Sequence, residues 1–116
     1  MNPDKATSYR RKLVSSARAI ITYEVGLPLG CARTSRILFW LRPFQADEFP
    51  VFDEYLQATR ELPTGQERLQ CDRDYLRKVD VQLEATNRAF RDRVFDACYT
   101  ILDRFETPDA ESIQST

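Results

Sequence analysis

The stretch DRDYLRKVDVQLEATNRAFRDRVFDACYTILDRF, Asp72 to Phe105, decides the fold class. Val79, Leu83, Thr86, Phe90, Val94, Ala97, Ile101 and Phe105 follow one another at intervals of three or four residues, which places them on one stripe of a helix. Val79, Phe90 and Ile101 recur every eleven residues, a period suited to a nearly straight helix and not to the heptad seam of a left-handed coiled coil. Asp72 is a natural cap for its start. A helix of this length spans about 50 Å, whereas a compact globule of this size has a gyration radius near about 13 Å. The helix therefore breaks, projects, or lies against another chain. Phe95, Tyr99 and Leu102 widen the apolar coverage toward the C-terminal end, so that half should be the better buried. The opposite face, with Asp74/Lys78 and Glu84/Arg88 one turn apart, reads as solvated.

Two shorter helices are expected upstream. The first opens at Asn2-Pro3 or at Thr7/Ser8 and closes at Gly26, before Pro28. Tyr9, Leu13, Ala17, Ile20 and Ile21 form its apolar stripe, with Arg10, Arg11 and Arg18 mostly turned away. Glu24 falls inside that stripe, where a carboxylate must be paired, hydrogen-bonded or near the rim, a structural place rather than that of a catalytic acid. Arg33 on the next helix is the candidate for a structural ion pair with it. The second helix runs from Pro28 or Leu29 to Arg42 and is stopped by Pro43. Gly30, Cys31, Thr34, Ile37, Leu38 and Leu41 make one continuous side, with small residues near its start that permit close approach to the first helix. Phe39 and Trp40 fall off this side, and Arg36 precedes both by one turn. Either the loop residues Phe49 and Phe52 cover these two rings, or the rings belong to a second surface.

Between Gln45 and Cys71 the periodicity weakens. The segment DEFPVFDEYL reads as a short helix from Asp47 with Pro50 in its first turn. ELPTGQERLQ reads as a turn built on Pro63 and Gly65. Phe49, Phe52 and Tyr55 are the anchors that tuck this connection onto the helices. After Phe105, ETPDAESIQST reads as a flexible acidic tail. The expectation is an all-α fold: a small bundle in which an N-terminal helical hairpin packs on a long C-terminal helix, with an acidic loop between. Residues 1–105 form the single domain and 106–116 the tail.

Charge is unevenly distributed although the total is −1. Residues 1–46 hold eight Lys/Arg against two Asp/Glu, and residues 47–67 hold six acids against Arg60 alone. The chain has no histidine, so the usual general base and metal ligand is missing. Its three glycines stand in no phosphate-binding arrangement. Cys31, Cys71 and Cys98 lack the spacing of a zinc site and read as free thiols in a reducing cytoplasm. The N-terminus has no signal-peptide pattern, and no segment has the apolar length of a membrane span. The carboxylate pairs Asp47/Glu48, Asp53/Glu54 and Asp92/Asp96 lie in a solvated loop or beside arginines, without the separated environments that acid–base catalysis needs. These features argue against an enzyme, a cofactor or a metal. Fourteen of seventeen basic residues are arginine, but acids alternate with them along the last helix, which disfavours nucleic acid.

Protein binding is the remaining class. Hot spots are rich in Trp, Tyr and Arg, and Arg36, Phe39 and Trp40 gather on one helical turn. Asp47, Glu48, Asp53 and Glu54 would form an acidic rim that steers a basic partner. ARAIITYEVGLPLGCARTSRILFWL, FPVFDEYLQATRELPTG and RDRVFDACYTIL, spanning most of residues 13–103, together resemble a family of small bacterial all-helical proteins without an agreed activity. That family is similar in kind to the immunity proteins of interbacterial toxin systems. The resemblance implies a helical fold and, as the sharpest function, neutralisation of a toxin by occluding a basic active-site cleft. The aromatic LFW and the Arg-rich last helix depart from the pattern, a departure that fits either divergent partner specificity or drift. The alternative is a homodimeric structural protein in which the aromatics and the long helix pair across a two-fold axis. A nucleic-acid accessory role ranks below both.

Overall fold

Residues Arg73–Phe105 form a single unbroken helix, α4, preceded by α1 (Pro3–Ile21), α2 (Leu27–Leu41), α3 (Val51–Ala58) and a short 3-10 turn at Gln66–Gln70. The protein is seen here as a computed structural model that describes residues 3–44 and 48–105. No strand occurs among them. Of the three outcomes open to so long a helix, a break does not occur: α4 runs on without interruption and lengthens the molecule. The molecule is 53 Å along its longest axis with a radius of gyration of 16.2 Å, above the value of about 13 Å for a compact chain of this length.

The two halves of α4 are unequally covered, as the widening apolar stripe predicts. Val94, Cys98 and Ile101 in the second half belong to the main core, together with Leu13, Ala17 and Ile20 of α1, Cys31, Ile37 and Leu41 of α2, and Phe52 and Tyr55 of α3. In the first half Val79 is buried, while Tyr75 and Val81 stay exposed. The connection between α3 and α4 is tied to this half by Arg68. Its guanidinium donates to the Pro63 carbonyl at 3.2 Å and to Asp80 Oδ1 at 2.9 Å. Asp72 directly precedes α4, and its carbonyl accepts from the Leu76 amide at 3.0 Å.

α1 and α2 are antiparallel neighbours. Tyr9 meets Trp40, Ser16 Oγ is 2.8 Å from Thr34 Oγ1, and Ile20 lies against Gly30. Gly30 is what permits that approach: a Cβ built there would come within 2.5 Å of Ile20 Cγ1. The Ser16–Thr34 bond satisfies two buried hydroxyls against each other, which removes a cost of about 1–3 kcal/mol for an unpaired buried polar group.

The turn between these helices corrects the expected boundary. α1 ends at Ile21, not at Gly26, because Tyr23 takes the left-handed conformation (φ 63°) that glycine usually supplies. The Glu24 amide then donates to the Ala19 carbonyl at 2.9 Å and the Tyr23 amide to Ile20 at 3.1 Å. These two bonds close the helix end in the Schellman pattern. The Tyr23 ring packs on Phe95 of α4 at 5.7 Å between centroids. The short helix of the connection also begins later than Asp47: α3 starts at Val51 with Pro50 as its cap residue. Proline is tolerated there because the first amides of a helix have no intrahelical partner, and Asp53 and Glu54 in the first turn suit its positive end. Phe52 and Tyr55 are fully buried, so the connection is anchored as expected. Residues 106–116, read from sequence as a tail, lie outside the described residues.

Candidate functional site

Phe39 and Trp40 are adjacent on α2 and therefore about 100° apart around its axis. Their neighbours on the inner side of the helix, Ile37 and Leu41, are consumed by the core. Phe39 is 61% exposed and Trp40 38% exposed, so neither ring is sealed beneath the loop. Phe52 points wholly into the core, and Phe49 is half-buried and forms a wall beside Phe39 instead of a cover over it.

The angle between the two rings splits the predicted patch in two. Phe39 faces the α3 side, in a concavity of about 660 Å³ shared with Leu38, Arg42, Phe44, Glu48, Phe49 and Asp53. Arg42 stacks its guanidinium 5.3 Å from the centre of the Phe39 ring. Trp40 faces α1, in a groove of about 460 Å³ shared with Lys12, Glu24, Val25, Arg33, Arg36 and Ile37. Tyr9 of α1 supports the indole at 5.4 Å between ring centroids. Arg36 thus belongs with Trp40, and the aromatic–arginine triad is not one surface.

The acidic rim is divided too. Glu48 and Asp53 line the Phe39 concavity. Ser35 Oγ donates to Asp53 Oδ1, which ties α2 to α3 and holds that carboxylate in place. Glu54 is a correction: it turns to α4 and pairs with Arg93, whose guanidinium also lies 5.1 Å from the Phe90 ring centre. It follows Asp53 by one residue and so points to another side of α3. Asp47 lies outside the described residues.

The expected Glu24–Arg33 ion pair is a second correction. Both residues line the Trp40 groove, yet both are exposed, and no salt bridge joins them among the described residues. The reason is the early end of α1. Once the backbone reverses at Tyr23, Glu24 leaves the apolar stripe and sits in the turn, where water solvates it.

The ionisable groups of the interior stand apart from both concavities. Burial pushes the thiol of Cys31 up to about 12, with Cys98 beside it adding to the effect, and burial alone pushes Cys98 up to about 12. Burial also raises Tyr55, whose hydroxyl donates to Asn87 Oδ1. These groups are neutral packing elements at ordinary pH. Among the described residues no three His, Cys, Asp or Glu side chains gather as metal ligands, and no helix is long and apolar enough to cross a membrane.

Sequence reasoning missed Lys12, Ser35, Arg42 and Phe44 as parts of these surfaces. Ser15, Ser16 and Ala19, small residues on one side of α1, were the available sign that a groove opens there. No family model, curated protein or solved structure matches the chain.

Proposed function

We propose that this protein is a non-enzymatic binding factor that inhibits a partner protein, in its sharpest form a bacterial immunity protein acting on a toxin in the cytoplasm. The observation that carries this reading is Phe39, a phenylalanine 61% exposed within an aromatic concavity rimmed by Glu48 and Asp53. An exposed ring of this size is expensive to leave in water unless another surface covers it. Arg42 already stacks on the ring, but the two acids outnumber it, so the concavity still suits a cationic side chain flanked by apolar groups. A partner with a basic cleft would place a lysine or arginine between Glu48 and Asp53, while its apolar rim packs on Phe39, Phe44 and Phe49. Inhibition then follows from occlusion: the cleft is filled and its substrate excluded. The desolvated ring supplies most of the affinity, and the rim charges supply the rate of encounter.

The reading expects the adjacent gene to encode a toxin domain, and co-expression with that domain tests it. The intact chain should rescue growth. Phe39→Ala should weaken the complex by about 2 kcal/mol, the scale of a hot-spot truncation, and Glu48→Gln should slow association with a reduced salt dependence. Both side chains are exposed, so the melting temperature should stay unchanged. Full rescue by both variants would remove this surface from consideration.

A homodimer is the second reading, favoured by the first half of α4 with Tyr75 and Val81 exposed on it. Sedimentation of the purified protein separates the two: a dimer that Trp40→Ala converts to monomer would pair through the aromatics, and one that only Val81→Asp converts would pair through α4.

A further inference from the structure

The groove on the other flank of α2 has the opposite charge. Lys12 from α1 and Arg33 and Arg36 from α2 line it, against the single carboxylate of Glu24. None of these three cations has an ion-pair partner among the described residues. Val25 contributes apolar surface with the edge of the buried Ile37 beneath it, and Trp40 also lines the groove with its ring supported by Tyr9. We propose that this groove is a second binding site, which takes an extended acidic peptide segment of a partner protein.

The spacing along α2 fits such a ligand. Arg33 and Arg36 lie three residues apart on one helical face, and Trp40 follows one turn later. From Arg33 to Trp40 the helix rises about 10 Å, which an extended peptide spans in about three residues. Because alternate side chains of an extended strand face the same way, carboxylates and an apolar side chain at alternating positions would meet the two guanidinium groups and the indole. Lys12 closes the site from the α1 side. The Ser16–Thr34 hydrogen bond at 2.8 Å joins the two helices beside it and sets the width of the groove before any ligand arrives. Arginine is suited to this task because its planar fork meets a carboxylate with two donors at once.

A nucleic-acid strand fits less well. Its phosphates form a continuous charged line, which would run past Glu24 on the groove wall. The groove also offers a strand one indole, where single-strand binders stack successive bases on several rings. A peptide can place carboxylates beside an apolar side chain, as the groove places its cations beside an indole. This site is independent of the Phe39 concavity, with which it shares no lining residue.

Trp40 is the only tryptophan in the chain, so its emission reports on the groove directly. The probe is a synthetic peptide of glutamates followed by leucine, titrated into the full-length protein alongside its glutamine counterpart and an oligothymidine strand. The acidic peptide should change Trp40 emission saturably and lose affinity as salt rises. The double change Arg33→Gln/Arg36→Gln should weaken it about tenfold, or about 1.4 kcal/mol, with an unaltered melting curve. Lys12→Gln should weaken it less, and Phe39→Ala not at all. Equal binding of the glutamine peptide, tighter binding of oligothymidine, or insensitivity to the arginine changes would each overturn the assignment. Failure here leaves the rescue measurements on Phe39 and Glu48 untouched, so the two sites stand or fall separately.

Discussion

Cys31 and Cys98 were legible at the level of single residues as unpaired thiols, because an odd count without metal spacing leaves little else. Their effect on stability comes from where the fold puts them. An unfolded thiol titrates near 9.0, whereas both buried thiols are raised to about 12. The native state therefore keeps protons that the unfolded chain gives up above pH 9. This contribution is fully present below that pH and is lost as pH rises toward 12. Tyr55, raised by burial, acts in the same direction. Unfolding free energies from urea titrations should be lower at about pH 10.5 than at neutral pH by up to about 2 kcal/mol per thiol, and Cys98→Ala should flatten that fall. In the native protein Cys71, which is half-buried, should react with a thiol reagent well before the other two. Thr34 shows what stays hidden at this scale. Its inward position was readable from helical spacing, but Ser16, which satisfies its hydroxyl, is eighteen residues away and is found only in the folded chain.

At the scale of the element, the close approach of α1 and α2 was written in the small residues of LPLGCA, and Gly30 is the residue that permits it. Gly30→Ala gains helix propensity in the unfolded chain's competition with the helix, yet its Cβ would meet Ile20 Cγ1 and Cδ1 at 2.5 and 2.9 Å. The clash should prevail and cost about 1–3 kcal/mol, as overpacking does. A thermal melt checks this, and an unchanged or raised midpoint would mean that Ile20 has room to move. The end of α1 was misread for a related reason. Glycine is the usual left-handed cap, so Gly26 drew the boundary. Tyr23 fills that role here, and the packing of its ring against Phe95 helps offset the backbone strain. That single shift moved Glu24 out of the apolar stripe and dissolved the ion pair expected with Arg33.

For the whole molecule, the unequal burial of α4 sets the order in which the structure opens. Amides around residues 75–88 are held by the Arg68 contacts and by Val79, while those around 94–101 sit in the main core. Hydrogen exchange should show the first group opening locally at lower free energy and the second only with global unfolding. Arg68→Ala should widen the difference. Uniform protection along α4 would mean that another chain covers its first half, as in the homodimeric reading.

The all-α class, the hairpin, the long C-terminal helix and the surplus of aromatic surface on α2 were determined by sequence alone. Each is a local pattern: apolar spacing repeats within one element, and proline and glycine mark its ends. Tertiary structure decided what the surplus became. Adjacent residues on a helix diverge by about 100°, so which neighbour each meets depends on the elements on either flank. Thus α3 received Phe39 and α1 received Trp40. The acids separated in the same way, because Glu54 found Arg93 thirty-nine residues away while Asp53 stayed beside Ser35. Pairings across such distances depend on how helices pack, and no spacing along the chain encodes them.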